Sequence, residues 1–255
     1  MNLEEAIEAI WDAGRRGIHF PPEWKGRFGL DDACRIQLGL LARHLRAGER
    51  QAGWKVGLTS RAIQEQEGFF EPAFGYLLES AALPSGCEVA FGSLRNPACE
   101  NELCLTVGRT LRGPGVSEAQ AREAVAAVAP ALELVEWRGV FSASPSLAIA
   151  DNLGQKAFVT GEATDPLPAG VSLREATVEV TVDGAIVERA DGSAVLGDPA
   201  ASLAWLANKL AQFDRVLEAG MRVMSGSFTR GIPLRQGQRV ESRFRPFGTV
   251  SLTVR

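Results

Sequence analysis

The chain has 255 residues, 45% of them hydrophobic and 23% charged, with a formal net charge of -4. This is the make-up of a globular protein long enough for one sizeable core, and its scattered positive charges lack the concentrated basic footprint of a nucleic-acid binder. No apolar run approaches the roughly 20 residues that span a bilayer, and the start, Met1-Asn2-Leu3-Glu4-Glu5, is acidic where a secretory signal is basic, so a cytoplasmic protein is expected.

Leu3, Ala6, Ile7, Ile10 and Trp11 recur at helical spacing ahead of Gly14. A second helical pattern begins after Asp31-Asp32 and carries Ile36, Leu40, Leu41 and Leu45 to about Ala47, with a loop from Gly17 to Gly29 between the two. These predict a helical segment over residues 1–50, followed by a larger domain over 51–255. Trp54 to Thr59 reads as a short strand, and Glu100 to Val107 as another. Ser117-Glu118-Ala119-Gln120 is a capping box, predicting an alanine-rich helix to about Val128 that Pro130 closes before a strand from Ala131 to Trp137.

Thr177 to Glu188 reads as a hairpin turning at Asp183-Gly184. Asp198-Pro199 then pairs a capping residue with proline at the first helical position, and Leu203, Leu206, Leu210 and Phe213 mark the buried face that follows. Strands return at Arg222 to Met224, Arg239 to Phe244 and Thr249 to Val254. Strands dominate after residue 50 with helices between them, which predicts an α+β fold.

Several chemistries are excluded by what the chain lacks. Its two histidines, His19 and His44, both lie in the N-terminal segment, and no G-x-G-x-x-G, G-x-x-x-x-G-K-[ST] or G-x-S-x-G pattern occurs. Cys34, Cys87, Cys99 and Cys104 show no C-x-x-C pair and read as inert thiols. Acidic residues on strands remain. Glu100 and Glu102 are two apart and share one strand face, while Leu103, Leu105 and Val107 take the other. Glu133 lies between Leu132 and Leu134 on a separate strand.

Three carboxylates converging without a cation would repel one another, whereas together they suit a hard divalent ion. On spacing alone, a solvated outer strand face is the favoured explanation of Glu100 and Glu102. Glu136, three residues from Glu133 and so on the opposite face, is a rival third ligand that spacing does not dismiss.

The segment Gly53-Trp54-Lys55-Val56-Gly57-Leu58-Thr59-Ser60 resembles the G-x-K-[VM]-G-[LF]-T motif of the 2-keto-4-pentenoate hydratase family, within the fumarylacetoacetase-like superfamily. Pro97 with Glu100-Asn101-Glu102 resembles its P-x-x-E-x-E strand, and Pro130-Ala131-Leu132-Glu133-Leu134-Val135 its P-A-[LIF]-E-[IVL]-V strand. Asp151-Asn152, Gly197-Asp198-Pro199, Trp205-Leu206-Ala207 and Ser225-Gly226-Ser227 follow in the family's order.

The resemblance implies a mixed β-roll and a magnesium or manganese ion on Glu100, Glu102 and Glu133, with Glu136 outside the ligand set. It makes Lys55 the active-site lysine and implies a substrate site that includes Lys55, Leu58, Phe74 and Ser227. The reaction it implies is hydration of a 2-hydroxy-2,4-dienoate or its 2-oxo tautomer in aromatic meta-cleavage. The alternatives are decarboxylation of a 4-oxalocrotonate-type acid, or a non-catalytic paralogue that assists assembly. A homo-oligomer, or a complex with a family paralogue, is also implied.

One position departs from the pattern. Hydratases of the family carry P-D-F-G after the lysine, with the aspartate assigned to proton transfer and water addition, whereas this chain has Glu71-Pro72-Ala73-Phe74-Gly75. Glu71 is therefore the expected substitute carboxylate.

Overall fold

The structure, a computed structural model, describes residues 2–255, so Met1 of the acidic start lies outside the described residues. Two helices open the chain, α1 (Leu3–Arg15) and α2 (Leu30–Arg46). The Asn2 side chain caps α1 by accepting from the Glu4 N–H. Ala6, Ile7 and Ile10 of α1 are buried, as are Ile36, Leu40 and Leu41 of α2. These residues join the same apolar cluster as the strands that follow. Gln37 ties α2 to that body, donating to the carbonyls of Phe74 (2.9 Å) and Ile149 (2.7 Å).

In chain order there follow β1 (Gln51–Gly57), α3 (Arg61–Glu67), β2 (Ala73–Leu78), β3 (Ala82–Pro84), β4 (Cys87–Val89), β5 (Pro97–Val107), α4 (Glu118–Glu123) and β6 (Val125–Glu136). Then come α5 (Pro145–Ala150), β7 (Gln155–Thr160), β8 (Thr177–Val182), β9 (Ala185–Asp191), α6 (Pro199–Ala211), β10 (Arg222–Met224), β11 (Ile232–Pro233), β12 (Arg239–Arg245) and β13 (Gly248–Val254). The larger sheet runs β2-β1-β10-β5-β6-β7-β3, with β11 also paired to β5, and the smaller runs β4-β13-β12-β8-β9. They meet where β12 and β13 lie against β6. This is a mixed fold with a curled sheet and a helical N-terminal segment. Among the described residues no helix is long and apolar enough to cross a membrane.

Local chemistry explains most boundaries. Asp183 (φ 51°) and Gly184 (φ 82°) both take the left-handed conformation that a tight turn between β8 and β9 requires. Asp198 accepts from the Ala200 N–H (2.8 Å) ahead of Pro199, starting α6 as its sequence predicts. The alanine-rich helix is the main departure: the Ser117 capping box forms, but α4 ends at Glu123. Val125 to Pro130 belong to β6, where Val128 pairs with Leu105 and Ala129 with Cys104. Two-sided burial in a central strand overrides alanine's helical preference.

Candidate active site

The register of β5 against β6 brings the acidic residues together. Glu100 stands directly opposite Glu133, and Glu102 opposite Ala131. Cross-strand partners share a face, so Glu133 joins Glu100 and Glu102 on one side of the sheet. Carboxylate oxygens of the three lie within 4.8 Å of one another. The same face carries Lys55: its register partner on β10 is Met224, whose partner on β5 is Cys104. Lys55 Nζ approaches to 3.3 Å from Glu133 Oε2, an ion pair with both side chains almost wholly buried. Gly75, opposite Lys55 on β2, makes room for the lysine stem, because a Cβ there would lie 3.1 Å from Lys55 Cγ.

The surroundings are dry. Leu77, Cys104, Ala129, Ala131, Phe158 and Met224 form a small apolar cluster of their own, and the strand register sets Phe158 opposite Glu133. Glu102 Oε2 accepts from the Gly226 N–H (2.7 Å). Gly226 takes φ 108°, and a Cβ there would sit 2.4 Å from Thr59 Oγ1, so only glycine lets this loop come so close.

Glu102 Oε1 and Glu133 Oε1 are buried with no hydrogen-bond partner. Burial, then Glu133 and Glu100, push the Glu102 carboxyl well above its ordinary range. Burial raises Glu133 to about 7 against the pull of Lys55. For Lys55 burial acts downward, but Glu133, Glu100 and Glu102 outweigh it and hold the ammonium above its usual value.

Buried, crowded carboxylates with unsatisfied oxygens are costly unless a cation satisfies them. An all-carboxylate donor set suits magnesium, manganese or calcium rather than zinc or copper. The triad is thus a site that can hold a divalent ion, opening through the partly exposed Glu100.

Above it lies a cleft of about 600 Å³, within the roughly 300–1,000 Å³ usual for small-molecule sites. Lys55, Leu58, Thr59, Glu67, Glu100, Phe141, Ser227, Thr229 and Arg230 line it, with Phe20, Trp137 and Arg138. Leu58 takes φ 56°, strained for a branched side chain, and Gln64 Nε2 holds its carbonyl at 2.7 Å. Asn152, also left-handed at φ 56°, accepts from the Tyr76 N–H (2.8 Å) and donates to the Tyr76 carbonyl (3.0 Å). That fixes the turn before β7 to β2, beside the lysine.

The expected residues do not all meet here. Lys55, Leu58, Ser227 and Glu100 line the cleft, and Glu102 and Glu133 stand buried beside Glu100. Phe74 does not reach it. The side chain is 1% exposed and packs between Trp54 (5.8 Å) and Phe213 (5.9 Å), because its strand position faces the apolar side, away from Lys55. Glu71 also lies elsewhere, at a small hollow beside Asp31 and Cys34, with Lys209 Nζ 3.7 Å away. Glu136 borders the cleft, but its carboxylate accepts from Arg138 Nε (2.8 Å) and the Arg95 N–H (3.1 Å), outside the triad. Arg138 also reaches Asp151 (3.2 Å), which in turn contacts His19 Nδ1 at 3.3 Å.

The sequence reading passed over Phe20, Arg138 and Glu67. Phe20 comes from the N-terminal segment, and its ring fills the space beside Gly139, where a Cβ would lie 2.6 Å from it. No local pattern signals such an approach. Arg138 had one faint signal, a charge two residues after Glu136 at the end of an apolar strand.

Residues 42–255 match the family described as Fumarylacetoacetate (FAA) hydrolase C-terminal. The chain belongs to this family. It is 33% identical over 227 residues to 2-hydroxyhexa-2,4-dienoate hydratase of Comamonas testosteroni, covering 88% of this chain and 85% of that one. It is also 33% identical over 221 residues to 4-oxalocrotonate decarboxylase of Pseudomonas sp. (strain CF600), covering 86% and 83%. Among solved structures it is similar to 4-oxalocrotonate decarboxylase from Pseudomonas putida G7, complexed with magnesium and adipate. That match has a TM-score of 0.93 at 29% identity over 100% of this chain and 99% of the other. The relatives are thus hydratases and decarboxylases, and lyase activity fits the family.

Proposed function

We propose that this chain is a divalent-metal-dependent hydratase that adds water to a 2-hydroxy-2,4-dienoate, or its 2-oxo tautomer, in aromatic meta-cleavage catabolism. The observation that carries the reading is the cluster of the partly exposed Glu100 with the buried Glu102, Glu133 and Lys55 beneath a cleft of substrate size. Glu100, Glu102 and Glu133 hold magnesium or manganese, which when bound supplies Lewis-acid polarisation of the substrate's 2-oxygen.

The protein's own groups do the rest. The Lys55 ammonium, kept charged by the carboxylates around it, neutralises the substrate carboxylate and donates a proton to the developing enolate. Leu58 and Ser227 line the cleft that receives the acid. The apolar floor excludes water from the carboxylates, so charge placed there acts at low dielectric.

A second reading, a decarboxylase of a 4-oxalocrotonate-type acid, is favoured by Ala73, which offers no proton acceptor where the hydratase motif has aspartate. In either case the chain works in the cytoplasm as a homo-oligomer or with a family paralogue. Residues 1–50 form the helical segment ahead of a catalytic domain over 51–255.

Protein loaded with magnesium or manganese is mixed with 2-hydroxypenta-2,4-dienoate and, separately, with 4-oxalocrotonate. Loss of diene absorbance with 18O-labelled water entering the product supports the hydratase. Carbon dioxide release from the second substrate without hydration of the first favours the decarboxylase. Turnover of neither refutes both.

A further inference from the structure

Adding water across a double bond requires a group that takes a proton as the new carbon–oxygen bond forms. The ladder between β1 and β2 shows where the family's aspartate would point. Position 73 pairs with Gly57 as Gly75 pairs with Lys55, so a carboxylate there would share the face of the lysine. Ala73 leaves that role unfilled, and Glu71 lies outside the cleft.

Among the described residues three glutamates line the cleft: Glu67, Glu100 and Glu136. Glu100 belongs to the triad. Glu136 is engaged by Arg138 and the Arg95 N–H. Glu67 stands at the C-terminal end of α3, and several contacts fix it in the cleft wall. Ser60 Oγ accepts from the Ile63 N–H (3.3 Å) to start the helix, and Gln64 Nε2 reaches back to the Leu58 carbonyl. Just after the helix, Phe69 packs edge-on against Phe141 at 5.4 Å. The Ser142 N–H donates to Glu67 Oε2 at 3.2 Å. Two segments of the wall are therefore joined through the Glu67 carboxylate itself.

We propose that Glu67 is the general base of the hydration, replacing from α3 the carboxylate that position 73 lacks. The proposal rests on the hydratase reading. Glu67 takes one proton from water as the water oxygen bonds to C4 of a 2-oxo-3-enoate. The C3=C4 electron pair moves to form the C2=C3 enolate. Return of that proton to C3, with the proton lent by Lys55 to the enolate oxygen going back to the amine, restores the 2-oxo group, and the net change is addition of one water.

The test compares magnesium-loaded wild type with Glu67→Gln and Glu67→Ala on 2-hydroxypenta-2,4-dienoate, with manganese affinity measured by calorimetry on each. Glutamine keeps an acceptor for the Ser142 N–H but not the base. The proposal expects kcat to fall at least about 100-fold in both variants, with manganese affinity unchanged. A purely structural acceptor would leave the glutamine variant active and weaken only the alanine variant. A glutamine variant within about threefold of an active wild type overturns the role of Glu67 and leaves the hydratase reading standing. A wild type that hydrates nothing overturns both.

Discussion

Removing the metal should make the stability of this protein fall with pH in a window set by the buried triad. Glu133 moves from the ordinary 4.5 to about 7 on folding, chiefly through burial, and Glu102 is pushed in the same direction. A carboxyl whose folded pKa is raised binds its proton more tightly in the folded state. Its contribution is fully present below about pH 4.5 and is lost as pH rises through about 7. For Glu133 alone the loss is worth about 3 kcal/mol, at about 1.4 kcal/mol per pH unit.

A divalent ion keeps the carboxylates ionised and removes this loss, so the stability gap between metal-loaded and chelator-treated protein widens with pH. At about 2–4 °C per kcal/mol for a chain of this size, the gap in Tm should grow by roughly 5–10 °C between pH 5 and pH 8. Thermal unfolding of both forms in matched buffers measures it, and taking the difference cancels groups remote from the site. A gap that stays constant across that range, or magnesium that leaves Tm unmoved, would refute the argument.

Three substitutions probe the supporting contacts. Lys55→Met should lower kcat at least about 100-fold. In chelated protein above pH 7 it should also destabilise the fold by about 3–5 kcal/mol by stranding Glu133, as read by denaturant unfolding. Gly226→Ala places a Cβ 2.4 Å from Thr59 Oγ1 and disturbs the N–H that holds Glu102. Manganese affinity should drop about 10–100-fold by calorimetry. Arg138→Met leaves Glu136 and Asp151 without their shared cation and should lower stability by about 3 kcal/mol. Unaltered unfolding would show that the wall of the cleft does not depend on this pair.

Local chemistry was legible wherever it is carried by neighbours in the chain. The Ser117 capping box, the Asp183-Gly184 turn and the Asp198-Pro199 helix start all form where their residues predict. The helix expected through Val128 failed because its alanines are governed by pairing with β5, which no window of sequence contains. β2 and β7 lack a clear sequence signal for a related reason: strands buried on both faces lose the alternation that marks a half-exposed one.

At the site, strand alternation revealed that Glu100 and Glu102 share a face. Spacing left Glu133 and Glu136 as rivals, and the family resemblance implied Glu133; the register sets Glu133 opposite Glu100 on the shared face, while Arg138 engages Glu136. Glu71 was the nearest carboxylate in sequence to Ala73, yet the turn after α3 directs it toward Lys209. Of the two, Glu67, further away in the chain, borders the cleft.

Manganese titration by calorimetry, on wild type and on Glu102→Gln, tests the metal assignment most directly. The triad predicts one ion per chain for wild type, binding at least about 100-fold weaker in the variant with circular dichroism unchanged, since losing a direct ligand should cost more than the 10–100-fold of a supporting contact. Equal affinity in the two proteins would contradict it.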